Sequence, residues 1–73
     1  MLGMLLNEKE CKEMHYLLRK ELDEILFDLK DRYLDNQLRN SIEARYQVIF
    51  RMYARIATNQ ELAHYVLNKR SKV

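Results

Sequence analysis

The chain has 73 residues, with 13 Lys and Arg against 11 Asp and Glu, one Cys, one Gly and neither Pro nor Trp. This length allows one small domain over residues 1–73. A domain of this size hides only about 60% of its unfolded surface, and a lone Cys excludes an internal disulfide. The composition therefore argues against a cleft enzyme and favours a helical chain. Close helix packing, a metal or self-association are the usual means of stabilising such a chain.

The sequence shows no sign of a membrane or secretion segment. No apolar stretch approaches the roughly 18 residues that a membrane span requires, and residues 1–6 lack the basic flank and the length of a signal peptide. A free Cys11 fits a reducing compartment. We therefore expect a cytoplasmic protein that does not contact a membrane.

The first predicted helix covers about residues 8–34. Asn7 precedes it as an N-cap residue, and acidic residues follow in the first turn, where the helix dipole favours negative charge. Apolar residues at spacings of 3 and 4 form one stripe, which consists of Cys11, Met14, Leu18, Leu22, Ile25, Leu29 and Tyr33. The helix should fray near residues 34–36, and residues 1–6 before it should also be frayed.

The second predicted helix covers about residues 37–57. Its stripe consists of Leu38, Ile42, Tyr46, Ile49, Tyr53 and Ile56. A loop of two to four residues between the helices makes them antiparallel neighbours.

A third helix is predicted over about residues 59–69. Thr58 and Glu61 have the spacing of a capping box, and the phase of the apolar residues changes there. A second helix that continues without a break is the alternative, and residues 70–73 should be frayed.

The apolar surface is larger than one hairpin can bury. The apolar arc of the second helix spans roughly 200°, and the first helix carries three large residues nearly opposite its stripe: Tyr16, Phe27 and Leu34. We therefore predict an all-α fold in which two hairpins pair into a homodimer with a four-helix core. A monomeric three-helix bundle is the alternative.

Charge is divided unevenly along the chain. Residues 1–35 hold 6 basic and 9 acidic side chains, net −3, whereas residues 36–73 hold 7 basic and 2 acidic ones, net +5. Antiparallel packing, within one chain or across a dimer, can therefore pair acidic residues such as Glu21 with Arg45 or Arg55.

Few residues suit metal binding. Cys11 and His15 are one helical turn apart, and His64 is a third candidate ligand. Glu61 and His64 match the Glu-x-x-His unit of di-iron bundles, but such sites need two units and two further Glu residues. We predict no metal and no cofactor, and we expect a buried Cys11 thiol beside a partly exposed His15.

The tripeptide Glu21-Leu22-Asp23 resembles the Glu-Leu-Asp core of the small helical-hairpin phosphatases that act on aspartyl-phosphate response regulators. The resemblance covers these three residues. Arg19-Lys20 precede them in place of the family's Ser-Gln, and the tripeptide lies in the first long helix instead of the second. We interpret it as a core leucine between two solvated acids.

Nucleic-acid binding is the alternative function. The basic half of the chain interleaves seven cations with four aromatic residues: Arg39, Arg45, Arg51, Arg55, Lys69, Arg70 and Lys72 with Tyr46, Phe50, Tyr53 and Tyr65. The helical phase does not gather these cations on one face, and it leaves Arg51 and Arg55 as a small exposed pair. Residues 57–69 match only the first half of a helix-turn-helix.

The function favoured by the sequence is protein binding. No Gly-rich phosphate loop, Ser-His-Asp order or Cys with an activating base can be assembled from it, so we predict a protein that is not an enzyme. We expect a small regulator or adaptor that binds an unknown protein through an exposed helical surface. The predicted contact residues are Tyr16, Phe27 and Leu34 on the first helix and Phe50 and Arg51 on the second.

Overall fold

The computed structural model describes residues 1–70, with side chains over residues 1–65. Three α-helices follow one another: α1 (Glu8–Asp28), α2 (Asn36–Ala54) and α3 (Asn59–Arg70). They contain 21, 19 and 12 residues, so more than two-thirds of the chain is helical. No strand occurs in the described part of the chain. The predicted all-α class is confirmed.

Helix α1 begins at Glu8 with Asn7 as its N-cap, as predicted, and the structure adds a capping box with Glu10. The Asn7 side chain accepts a hydrogen bond from the backbone N–H of Glu10 at 2.8 Å, and the Glu10 carboxylate accepts one from the Asn7 N–H at 3.0 Å. These two bonds satisfy donors that the first helical turn leaves free.

Helix α1 ends at Asp28, six residues before the predicted end at 34. The Arg39 guanidinium donates to the Leu29 carbonyl at 2.9 Å and to the Asp31 carbonyl at 2.7 Å. The Asp31 side chain accepts from the Tyr33 N–H at 3.0 Å, which a continuing helix would have bonded to Leu29. The loop therefore spans residues 29–35 and is longer than the predicted two to four residues.

Helix α2 begins at Asn36, one residue before the predicted start, because the Asp35 side chain caps it by accepting from the Gln37 N–H at 2.9 Å. It ends at Ala54, three residues before the predicted end at 57.

The predicted break before α3 is confirmed, and an uninterrupted second helix is wrong. The Thr58 N–H donates to the Glu61 carboxylate at 2.7 Å, and the Glu61 N–H donates to the Thr58 hydroxyl at 3.2 Å. Helix α3 follows over Asn59–Arg70, and residues 71–73 of the segment predicted to be frayed lie outside the described residues.

Helices α1 and α2 form the predicted antiparallel hairpin. Contacts between them join residues in opposite chain order: His15 with Tyr53, Glu21 with Arg45, and Leu29 with Arg39. The core lies between these helices, and Leu62 and Tyr65 of α3 pack into it; its buried members in the described part of the chain are Leu22, Ile25, Leu26, Tyr46, Ile49, Tyr53 and Tyr65. The third helix therefore completes the core of the hairpin.

Cys11 is exposed, so the prediction that its thiol is buried is wrong. The contacts of His15 with Tyr53 and of Glu21 with Arg45 set the register of the hairpin. In this register Cys11 lies opposite residues 55–57, where α2 has already ended. At the other end of the stripe, Tyr33 is 89% exposed because it lies in the loop beyond α1. None of the helices in the described chain is long and apolar enough to cross a bilayer.

Candidate partner-binding site

A buried tyrosine fixes α3 against α1. The Tyr65 hydroxyl lies 2.8 Å from Asp23 Oδ1 and 3.3 Å from the Arg19 carbonyl oxygen. The hydroxyl has one hydrogen, and the shorter contact to the carboxylate takes it. Burial first, and then the bond to Asp23 and its charge, raise the pKa of Tyr65 above its ordinary value. The Tyr65 ring packs edge-on against Tyr53, with centroids 5.5 Å apart.

A second contact joins the start of α3 to α1. His15 Nε2 lies 2.8 Å from Glu61 Oε2 and 3.3 Å from the Tyr53 hydroxyl. A carboxylate can only accept, so the Nε2–H group of His15 donates the hydrogen bond to Glu61. The Thr58 backbone N–H, supported by the Thr58 side chain and His15, lowers the pKa of Glu61 against the opposing effect of desolvation.

Between these two contacts lies a groove of about 420 Å³. Its lining residues come from all three helices and are Arg19, Asp23, Tyr53, Glu61, His64 and Tyr65. The carboxylates of Asp23 and Glu61 are both bonded to side chains of the same chain. We interpret the groove as the junction that fixes α3.

The metal candidates of the sequence are not brought together. Cys11 is exposed with its Sγ 3.8 Å from the Leu6 carbonyl oxygen, whereas His15 turns toward Glu61. Within the described residues, no group of three His, Cys, Asp or Glu side chains is placed to hold a metal ion.

The tripeptide Glu21-Leu22-Asp23 contributes to packing. Leu22 is completely buried, as predicted. Glu21 is partly exposed and pairs with Arg45 at 2.9 Å. Asp23 is exposed and accepts the bond from Tyr65.

The outer surface of α1, defined as Tyr16, Lys20, Glu24 and Phe27, is the candidate site. These residues recur at spacings of 4, 4 and 3 and therefore share one face of the helix. Tyr16 is 49% exposed and Phe27 is 72% exposed. They border a shallow recess of about 480 Å³, whose lining also includes Arg19, Asp23 and Asp28. The recess and the groove share Arg19 and Asp23, so the two lie side by side.

The other three predicted contact residues lie elsewhere. Leu34 is half-buried in the loop after α1, because the helix ends before it, so its predicted place on the outer face of that helix is wrong. Phe50 is half-buried against the core and stacks on Tyr46, with centroids 6.1 Å apart. Arg51 is exposed on α2. The structure thus brings together only Tyr16 and Phe27.

Sequence reasoning missed a second exposed apolar surface, on the hairpin itself. Leu17, Val48 and Met52 are 50%, 56% and 46% exposed, respectively. The wide apolar arc of α2 was the available signal, since Val48 lies at one edge of it. Nothing in the spacing of α1 marked Leu17.

No protein-family model matches the chain, and no curated protein or solved structure matches it either.

Proposed function

We propose that this chain is a small, non-enzymatic interaction module, a cytoplasmic regulator or adaptor that inserts the outer surface of α1 into a groove on a partner protein. The exposure of Phe27, at 72% on a well-formed helix, carries the proposal. Large aromatic side chains supply much of the binding energy at protein interfaces, and leaving one in water gains nothing for the fold.

The spacing of the two aromatic residues fits a helix that binds in a groove. Tyr16 and Phe27 are eleven residues apart on α1, which corresponds to three turns and about 16.5 Å. Helical ligands that bind grooves use anchors on one face at such spacings. Neither ring belongs to the core, so both are available to a partner.

The charges around Phe27 indicate the chemistry of the partner. Glu24 lies on the same face one turn before Phe27, and Asp28 follows it directly; both are exposed. We therefore expect an apolar groove whose rim is basic near the pocket for Phe27. Complementary rim charges speed association more than they tighten binding.

The hydrogen bonds of the polar side chains support a role in binding over a role in catalysis. His15 Nε2 is held between Glu61 and Tyr53 of the same chain, and Asp23 is bonded to Tyr65. A general base needs a nitrogen or oxygen that can reach a substrate proton. These groups instead hold α3 in place.

A site-specific photo-crosslinking experiment tests this function. Benzoylphenylalanine replaces Phe27 in the native cell, and the same amino acid replaces Tyr33, which is 89% exposed in the loop, as the matched control. We expect one recurrent partner that crosslinks at 27 and not at 33. With that partner purified, Phe27→Asp should weaken binding by about tenfold or more, whereas Tyr33→Asp should leave it unchanged. Equal crosslinking at both positions, or binding that survives Phe27→Asp, would contradict the proposal.

The nucleic-acid alternative has weaker support. Three of its four aromatic residues, Tyr46, Tyr53 and Tyr65, are buried in the core and cannot stack on bases without unfolding. Two of its cations, Arg39 and Arg45, are bonded within the chain. The side chains of Lys69 and Arg70 and the whole of Lys72 lie outside the described residues.

That alternative makes its own prediction. Salt-sensitive binding to generic DNA or RNA that is lost in the double variant Arg51→Glu, Arg55→Glu would favour it over protein binding. Both residues are exposed on or next to the end of α2, so these changes should leave the fold intact.

A further inference from the structure

The side of the hairpin away from α3 forms an open flank, defined as Leu17, Glu21, Arg45, Val48 and Met52. Leu17 and Glu21 share one face of α1, and Arg45, Val48 and Met52 share one face of α2. The ion pair of Glu21 with Arg45, at 2.9 Å, shows that these two faces meet on the same side of the hairpin. Asp23, which bonds α3 through Tyr65, lies two residues and so about 200° around α1 from Glu21.

This flank is apolar and uncovered in the single chain. Its three apolar side chains, Leu17, Val48 and Met52, are about half exposed.

We propose that the open flank is the surface on which two copies of this chain pair. The charges of the flank favour a second copy of the chain as the partner. Glu21 and Arg45 lie side by side, and a two-fold rotation places the same acid–base pair of the other copy opposite them with complementary charges. The proposal adds a surface to the proposed function and does not depend on the outer surface of α1.

The charges also select the arrangement. A two-fold axis parallel to the hairpin places α1 of each copy over α2 of the other, so that Glu21 of one copy faces Arg45 of its partner. All neighbouring helices are then antiparallel, as in a four-helix bundle. An axis across the hairpin would place α1 over α1 and α2 over α2, and would bring like charges together.

The first experiment measures mass by sedimentation equilibrium with the full-length chain at micromolar concentrations. We expect a dimer, and Val48→Asp should raise its dissociation constant about 30-fold or more, because a carboxylate would be buried without a partner. Val48 is 56% exposed in the single chain, so the variant should keep its helical circular dichroism. Phe27→Asp is the matched control and should leave the dimer unchanged. A mass that stays monomeric at protein concentrations 100-fold above the micromolar range overturns the proposal. In that case residues 1–6 or an unrelated protein would cover the flank.

The second experiment tests the arrangement by crosslinking in a Cys11→Ser background. Leu17 lies one turn before Glu21 and Val48 one turn after Arg45, so the ion pair places them at nearly the same level of the hairpin. Leu17→Cys and Val48→Cys are prepared as separate chains and mixed with a short thiol-specific crosslinker. Crosslinked dimers should form in the mixture and not in either chain alone. Equal crosslinking of each chain with itself would contradict the proposed antiparallel arrangement. In the sedimentation experiment, a dimer that persists in Val48→Asp would contradict the proposal that the open flank is the dimer surface. Neither result bears on the photo-crosslinking at position 27, so the two proposals fail separately.

Discussion

The hydroxyl of Tyr65 lies 2.8 Å from Asp23 Oδ1, and this hydrogen bond joins α3 to α1 across 42 residues of sequence. Helix α3 has 12 residues, a length at which an isolated helix is marginal in water. Its stability must therefore come from its contacts with the hairpin. Tyr65 supplies both a buried ring and the hydrogen bond, so it holds α3 on the hairpin.

Tyr65→Phe should lower the free energy of unfolding by about 1 kcal/mol, because it removes the bond to Asp23 and keeps the ring. Tyr65→Ala should cost about 3–5 kcal/mol through the cavity that it leaves. Urea denaturation followed by circular dichroism measures both. Tyr16→Phe is the matched control, since Tyr16 is half exposed and outside the core; an equal loss in that variant would contradict the role given to Tyr65.

Arg39→Ala should lower the free energy of unfolding by about 1–2 kcal/mol. Its guanidinium bonds two loop carbonyls, of Leu29 and Asp31, at 2.9 Å and 2.7 Å, and these would be left to water. Arg51→Ala removes the same side chain from an exposed position of α2 and should cost less than about 0.5 kcal/mol. The same urea titration compares the two. If Arg39→Ala were as mild as Arg51→Ala, the loop would not depend on the guanidinium.

The helix starts could be predicted from the sequence because capping is local. Each capping box joins residues three apart, Asn7 with Glu10 and Thr58 with Glu61, and both are present. The end of α1 could not be predicted, because Arg39 approaches from the next helix and takes up the loop carbonyls. No periodicity within α1 carries that information.

The candidate site could be predicted in part for the same reason. The phase of α1 placed Tyr16 and Phe27 opposite the core, and both are exposed on one face. Leu34 was lost from that face when the helix ended early. The contact of His15 with Glu61 joins residues 46 apart, and only the docking of α3 brings them together. The open flank likewise appears only when two helix faces are set side by side.

Thr58→Ala should destabilise the protein by about 1 kcal/mol, because the N–H of Glu61 loses its acceptor at the start of α3. Ser in place of Thr58 keeps the hydroxyl and should be nearly neutral. Amide hydrogen exchange would locate the effect: the first turn of α3 should exchange faster in Thr58→Ala, with α1 little changed. A uniform increase over all three helices would instead mean that α3 does not open separately.

Alkaline pH should destabilise the protein through its buried tyrosines. Burial, the first cause in each case, raises the pKa of Tyr46, Tyr53 and Tyr65 above the ordinary value of about 10. The folded state holds these protons more tightly than the unfolded state. The contribution of the three tyrosines to the free energy of unfolding is therefore fully present below about pH 10. It is lost as the pH rises from there toward the folded pKa values.

The slope of the free energy of unfolding against pH shows which tyrosine causes the alkaline destabilisation. Each tyrosine that stays protonated in the folded state and ionises on unfolding lowers the free energy of unfolding by up to about 1.4 kcal/mol per pH unit above pH 10. Tyr65→Phe should therefore make the alkaline fall shallower, although the variant is less stable at neutral pH. Tyr33→Phe is the control, because Tyr33 is 89% exposed and should leave the slope unchanged. Urea denaturation at a series of pH values measures the slope, and the phenolate absorbance of the folded protein reports ionisation independently. An unchanged slope in Tyr65→Phe would mean that the Tyr65 hydroxyl ionises as readily in the folded chain as in the unfolded one.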